Sequence, residues 1–204
     1  QVKYWLSELP NIVELININK ASKKIKKTNY NINPIFIIGV PRCGSTLVEK
    51  VIASSSRYIP IGEETEIINF FVKQKIQQKK SLNSNIENLQ KKIINKYKQK
   101  KLIQKKYNYT FTDKSLDNFF FISLIKEIFP YAKVINCKRN PLSSIISILK
   151  NNLAGISWAH DLKNIFKYFD IYYQMIENFK KNLPKFIYEL EYEKLVNDPE
   201  NESK

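Results

Sequence analysis

Short unbroken apolar runs alternate along this chain with longer stretches in which apolar residues return every three or four positions. Pro34-Ile-Phe-Ile-Ile38 has no polar break, which suits a strand buried on both faces. The alternating run Tyr107-Asn-Tyr-Thr-Phe-Thr112, the segment Lys133-Val-Ile-Asn-Cys-Lys138 and the short Phe186-Ile-Tyr-Glu-Leu190 read as further strands. Between them the pattern predicts helices. The order is leading helical pieces over Trp5 to Lys27, strand 34–39, helix 45–54, a segment 61–72, a Lys-rich helical stretch 73–106 and strand 109–113. Helix 118–129, strand 133–138, helix 141–150, a long helix 158–182 and strand 186–191 follow. In the long helix Leu162, Ile165, Phe166, Phe169, Tyr173 and Ile176 fall at helical spacing and predict the buried stripe. Strands alternating with helices imply an α/β fold, a parallel sheet covered by helices on both faces.

Composition narrows the organisation. With 43% hydrophobic residues in 204, the chain supplies one substantial core and scarcely two. We therefore expect a leading helical segment over 1–30, the tail of an upstream repeat region, and one domain over 31–204. Both ends read as truncated. The chain opens on Gln1, and Asp198-Pro199-Glu200 is a sound helix start with only four residues after it. The formal charge of +15 raises nucleic acid as a partner. However, the lysines between Lys73 and Lys106 alternate with Gln, Asn and Ile, the pattern of a solvated amphipathic helix, so no nucleic acid is expected. Cys43 and Cys137 form neither a disulfide framework nor a metal set, and no apolar run is long enough to span a membrane; cytoplasm is the expected compartment.

Candidate chemistry concentrates where strand 34–39 turns into helix 45–54. Gly39 and Gly44 permit the tight turn, and the helix start aims unpaired N–H groups at an anion. The spacing matches G-x-x-x-x-G-K-S/T except that Ser45 stands where a lysine would reach the β- and γ-phosphates of a nucleoside triphosphate. Arg42, preceded by Pro41, brings the positive charge from within the loop. The strand–turn–helix pattern recurs at Lys133 to Ser147, with Arg139 at the strand end, Pro141 opening the helix and Ser147 eight residues past the arginine. Ile61-Gly62-Glu63-Glu64-Thr65 and Asp113-Lys114-Ser115-Leu-Asp-Asn118 complete the set of polar clusters next to apolar segments.

In these motifs the chain resembles the sulfotransferases that use 3′-phosphoadenosine 5′-phosphosulfate (PAPS), closest to bacterial enzymes fused to tetratricopeptide repeats and to tyrosylprotein sulfotransferases. The resemblance covers roughly residues 33–200. It implies a P-loop-type parallel sheet in which Pro41, Arg42, Cys43, Gly44, Ser45 and Thr46 cradle the 5′-phosphosulfate, matching P-R-x-G-S/T-T. Arg139 and Ser147 would hold the 3′-phosphate. Tyr192, in Tyr192-Glu-Lys-Leu-Val-Asn-Asp-Pro199, would reach the nucleotide. By the same resemblance Glu64, the second glutamate of G-E-E-T, is the general base, and Lys114 with Arg42 stabilises the transferring and leaving oxygens. No metal is implied. The acceptor is a hydroxyl on peptide tyrosine, a sugar or a small molecule. Glu66, standing where animal tyrosylprotein enzymes carry arginine, argues against acidic peptides. The family normally continues into a basic segment that closes over the nucleotide.

Two other readings stay open on the sequence. A P-loop kinase acting with ATP and magnesium is disfavoured by Ser45 but allowed by Asp113 at a strand end. A non-catalytic nucleotide-binding module is the other. His160, the only histidine, reads as a helix-surface residue beside Trp158. Oligomeric state is not legible.

Overall fold

The structure, a computed structural model, describes residues 1–11, 32–55, 57–78, 86–104 and 109–203. The predicted leading helices beyond residue 11, the parts of the Lys-rich stretch at 79–85 and 105–106, and the start of the alternating run at 107–108 lie outside the described residues.

Four parallel strands form the sheet in the order β2-β1-β3-β4. They are β1 (Ile35–Ile38), β2 (Thr112–Asp113), β3 (Lys133–Lys138) and β4 (Ile187–Glu191). Central β1 explains its own unbroken apolar run, because Phe36, Ile37 and Ile38 are fully buried. Phe36 lies level with Asp113 on one side and Val134 on the other. This register brings the ends of β1, β2 and β3 to one edge of the sheet, the carboxyl edge where open α/β sheets bind ligands. β2 is shorter than predicted. Tyr109 sits at φ 38°, off the extended conformation, although the Phe111 carbonyl still accepts from Ile35 N–H at 2.8 Å.

Helices α1 (Ser45–Ala53), α2 (Ile67–Gln77), α3 (Ile86–Gln99), α4 (Ile122–Ile128), α5 (Pro141–Lys150), α6 (Leu162–Asn182), α7 (Tyr192–Asn197) and α8 (Pro199–Glu202) connect and cover the strands. A 3-10 segment, Leu116–Phe121, precedes α4 and takes up the first part of the predicted helix 118–129. Another, Ser157–His160, precedes α6, which starts only after Asp161 caps the Asn164 N–H.

The buried stripe of α6 is rotated from the prediction. Ile165, Phe169 and Ile176 are inside, but Leu162 is 45% and Phe166 50% exposed, while Tyr168, Tyr172 and Phe179 take the inner positions. Specific partners set this rotation. Tyr168 stacks on Trp158 with ring centroids 3.7 Å apart, and the Tyr172 hydroxyl bonds Asn136 Oδ1 on β3. A tyrosine whose hydroxyl finds a partner buries its ring without a desolvation penalty, which hydropathy spacing cannot register. The described leading residues also join this core: the π-helical stretch Tyr4–Glu8 and its continuation bury Leu6 and Leu9. Among the described residues no helix is long and apolar enough to cross a membrane.

Candidate active site

The loop from β1 to α1 has a shape that its side chains enforce. Gly44 adopts φ 94°, and a Cβ built there would fall 2.2 Å from Cδ2 of Tyr192, so only glycine fits beneath that ring. Arg42 is also left-handed, at φ 68°. Cys43 is fully buried beside Cys137 at the end of β3, whose thiol donates to the Cys43 carbonyl at 3.0 Å. The contact between the two thiols lowers the Cys43 pKa and, with burial, raises that of Cys137. Cys43 and Ser45 thus spend their side chains on the interior. The cradle is left to backbone groups, the exposed Thr46 hydroxyl and Arg42. No side chain caps the start of α1, so its first N–H groups remain available to an anion.

Arg42, Arg139 and Ser147 meet in space. The Arg42 Nε donates to Ser147 Oγ at 3.0 Å, and an Arg139 guanidinium N–H donates to the Arg42 carbonyl at 2.8 Å. Arg139 also lies over the Tyr192 ring, 4.7 Å from its centroid. The sequence therefore brings its R-x₇-S pair and Tyr192 to the cradle. Arg42 turns toward that pair: its side-chain hydrogen bond is with Ser147, and no bond joins it to Glu64 or Lys114 among the described residues. Asn140 fixes the start of α5, accepting from Ser143 N–H at 3.2 Å while its own N–H donates to Glu193 at 2.9 Å. That last bond links the helix carrying Ser147 to the helix carrying Tyr192.

On the other side of the cradle, the 62–66 loop is fastened to β2 residue by residue. Gly62 N–H donates to Thr112 Oγ1 at 3.1 Å, Lys114 N–H to the Glu63 carbonyl at 2.7 Å, and Glu66 N–H to Ser115 Oγ at 2.9 Å. Buried Glu49 accepts from both the Thr112 hydroxyl, at 2.6 Å, and Glu63 N–H, at 3.1 Å. Gly62 runs so close to β2 that an added Cβ would lie 2.0 Å from the Thr112 carbonyl oxygen. The fastening sets exposed Glu64 beside buried Lys114, with Oε1 and Nζ 3.5 Å apart.

Asp113 has a different job from the one that the kinase reading would give it. It is fully buried and accepts from the Thr65 and Tyr97 hydroxyls, both at 2.6 Å, from Ser115 N–H at 3.0 Å and from Asn118 Nδ2 at 3.3 Å. Four donors saturate the carboxylate from within, and it holds the loop rather than a ligand. His160 is exposed, as its sequence context suggests.

A cavity of about 340 Å³ opens between the loop and the cradle, with Pro41 and Glu64 in its wall beside Trp5, Trp158, Glu66 and Asp117. Asp117 donates nothing and accepts from the Tyr168 hydroxyl at 2.8 Å. Burial pushes its carboxyl up to about 7, with Glu66 adding repulsion and the Tyr168 bond pulling the other way. A second cavity, about 220 Å³, lies behind Arg139 and is lined by Tyr172, Tyr173 and Cys137. Sequence reasoning passed over Glu49, Asp117 and Trp5. Glu49 sits in an ordinary Glu-Lys helical pair, and nothing in the sequence marks it as buried.

Comparison with known proteins agrees with this architecture. Residues 34–204 match the sulfotransferase family. An uncharacterized protein of Aquifex aeolicus (strain VF5) is 31% identical in an alignment of 181 residues that covers 82% of this chain and 24% of that protein; the chain thus spans about a quarter of the length of this relative. The sulfotransferase domain of the curacin biosynthetic pathway superposes with a TM-score of 0.55 at 22% identity, over 83% of this chain and 70% of that domain. The sulfotransferase domain of the Synechococcus PCC 7002 olefin synthase gives 0.57 at 21%, over 88% and 74%. A sulfotransferase from Alicyclobacillus acidocaldarius gives 0.55 at 13%, over 84% and 76%. These likenesses show a shared fold, and with the family match over 34–204 they establish that this chain belongs to the sulfotransferase family.

Proposed function

We propose that the protein transfers a sulfuryl group from PAPS to an acceptor hydroxyl, with Glu64 as general base. The observation that carries this reading is the Glu64–Lys114 pair at 3.5 Å, on a loop bonded to β2 and in the wall of a cavity that also includes Pro41 of the cradle. PAPS supplies the sulfuryl group. Arg139 and Ser147 suit its 3′-phosphate, as a guanidinium and a hydroxyl at a capped helix suit a dianion, and residues 41–46 suit the 5′ end. Tyr192, packed on Gly44 and under Arg139, is suited to wall the nucleotide.

Glu64 accepts the proton of the acceptor hydroxyl as that oxygen forms its bond to sulfur. The bond from sulfur to the 5′-phosphate oxygen breaks in line, and its electron pair stays on the phosphate, where the Lys114 ammonium offsets the growing charge. Peptide tyrosine is within the acceptor class, as are alcohols on smaller molecules. Two facts weigh against ATP–magnesium phosphoryl transfer: Ser45 replaces the P-loop lysine, and Asp113 is already filled by four protein donors. The cytoplasm, a reducing setting, suits the free thiols Cys43 and Cys137.

Calorimetric titration with 3′,5′-diphosphoadenosine, with ATP–magnesium as competitor, tests the donor. Preferential binding of the diphosphate that Arg139→Ala weakens supports the reading. Preference for ATP–magnesium overturns it.

A further inference from the structure

The cavity beside Glu64 carries a charge pattern opposite to that of the rest of the molecule. The chain bears +15 overall, yet Glu64, Glu66 and Asp117 face this space with Lys73 as the lining cation. Lys73 is held at the aromatic side, its ammonium 5.0 Å from the Tyr4 ring centroid and 5.1 Å from that of Trp5. Asp117 uses Oδ1 for the Tyr168 hydroxyl, and its other oxygen has no hydrogen-bond partner among the described residues. Glu66 is oriented by Asn69, whose Nδ2 donates to Oε2 at 3.0 Å. The wall therefore combines anionic oxygens with the rings of Trp5 and Trp158, the two kinds of surface that an organic ammonium ion favours. An anionic acceptor would meet repulsion from Glu66 and from Asp117 when ionised, Glu64 being paired with Lys114.

We infer that the acceptor is a small hydroxyl compound bearing a protonated amine, with Asp117 as the residue that selects the amine. This inference rests on the sulfotransferase reading for which end of the ligand reacts: the hydroxyl lies toward Glu64 and the amine toward Asp117. The selection itself is a matter of binding. An ammonium donating to the free oxygen of Asp117 supplies the direct ion pair that this carboxyl makes with no described residue, Lys73 acting on it only from a distance, and the volume of about 340 Å³ accommodates a single ring with a short side arm. Asp117 acts here as a specificity residue and takes no part in the transfer.

Trp5 and Trp158 are the only tryptophans in the chain and both line the cavity, so intrinsic tryptophan fluorescence reports its occupancy directly. The probes are three phenols of similar shape and different charge: tyramine, 4-ethylphenol and 3-(4-hydroxyphenyl)propionate. Each is titrated into the full chain with and without 3′,5′-diphosphoadenosine. Tyramine is expected to bind roughly tenfold or more tighter than 4-ethylphenol, with the propionate weakest. Asp117→Asn, which keeps an oxygen for Tyr168, is expected to erase most of that preference, and Glu66→Gln to reduce it. Equal or better binding of the propionate, an unchanged preference in both variants, or no response to any phenol overturns the inference. Donor binding is read separately by calorimetry. A tyramine preference in a protein that ignores the diphosphate would sink the donor reading and leave the amine site standing, whereas diphosphate binding without the preference would do the reverse.

Discussion

Arg42 and Ser147, 105 positions apart in sequence, are joined by a 3.0 Å hydrogen bond from Nε to Oγ. The bond ties the β1–α1 loop to α5, and Arg139 reinforces it by donating to the Arg42 carbonyl. In the proposed function the 3′-phosphate takes the place of protein acceptors around these groups. Arg139→Ala is expected to weaken diphosphoadenosine binding by about 1.5–3 kcal/mol, the usual worth of a hydrogen bond to a charged group. Ser147→Ala should cost less, about 1 kcal/mol, because a neutral hydroxyl is lost. Calorimetry that finds Ser147→Ala the more damaging of the two would contradict the assignment of Arg139 to the phosphate.

Glu64→Gln is expected to cut turnover with PAPS by about 10²–10⁴-fold while leaving diphosphoadenosine affinity within roughly twofold, because the base is used in the chemical step. Lys114→Met should also lose turnover, and it removes the partner 3.5 Å from Glu64. Steady-state rates beside donor titrations separate the two effects. A Glu64→Gln protein with unchanged rates would remove the base assignment.

Gly62→Ala forces a Cβ to within 2.0 Å of the Thr112 carbonyl oxygen, a backbone atom that cannot swing aside. The loop must lift from β2, breaking the Gly62–Thr112 bond. We expect a loss of about 1–3 kcal/mol in urea unfolding, as for other overpacked sites, and a fall in turnover larger than any change in donor affinity. Full stability in the variant would mean that the loop is less tightly held than these contacts require.

The pH dependence of folding should reveal Asp117. Its carboxyl titrates near 7 in the folded chain, well above the ordinary aspartate value, so the folded state binds the proton more tightly than the unfolded state does. This contribution to stability is full below about pH 4 and is lost as pH rises toward 7. At about 1.4 kcal/mol per pKa unit the loss is on the order of 4 kcal/mol. Denaturant midpoints measured across that window should fall more steeply for the native protein than for Asp117→Asn. Parallel curves would place the carboxyl near its ordinary value.

The strands were legible because β1 lies between two neighbours and must be apolar on both faces, and a run such as Pro34 to Ile38 has few other uses. The cradle and the Arg139–Ser147 pair were legible as residue types at fixed spacing beside strand ends. The face of α6 was not, because Tyr168 and Tyr172 are buried through hydroxyl bonds that hydropathy does not score. Likewise Asp113 presents the same letter in a sequence whether it binds an ion or four protein donors. Only the positions of Thr65, Tyr97, Ser115 and Asn118 decide between them, and two of those lie outside its own segment. The direction of Arg42 was hidden for a similar reason: its partner comes from a different helix.

Tyr192 lies 148 positions beyond Gly44 (192 − 44), yet its ring is the surface against which the cradle glycine closes. During synthesis the loop therefore emerges long before its lid. A nascent chain ending anywhere before residue 192 has the loop but not the ring beneath Arg139, so the closed geometry around Gly44 arrives late, after β4 has completed the sheet. On the proposed function, donor present at a hundred times its dissociation constant would add about 2.7 kcal/mol to the finished protein and less to a chain that lacks this ring.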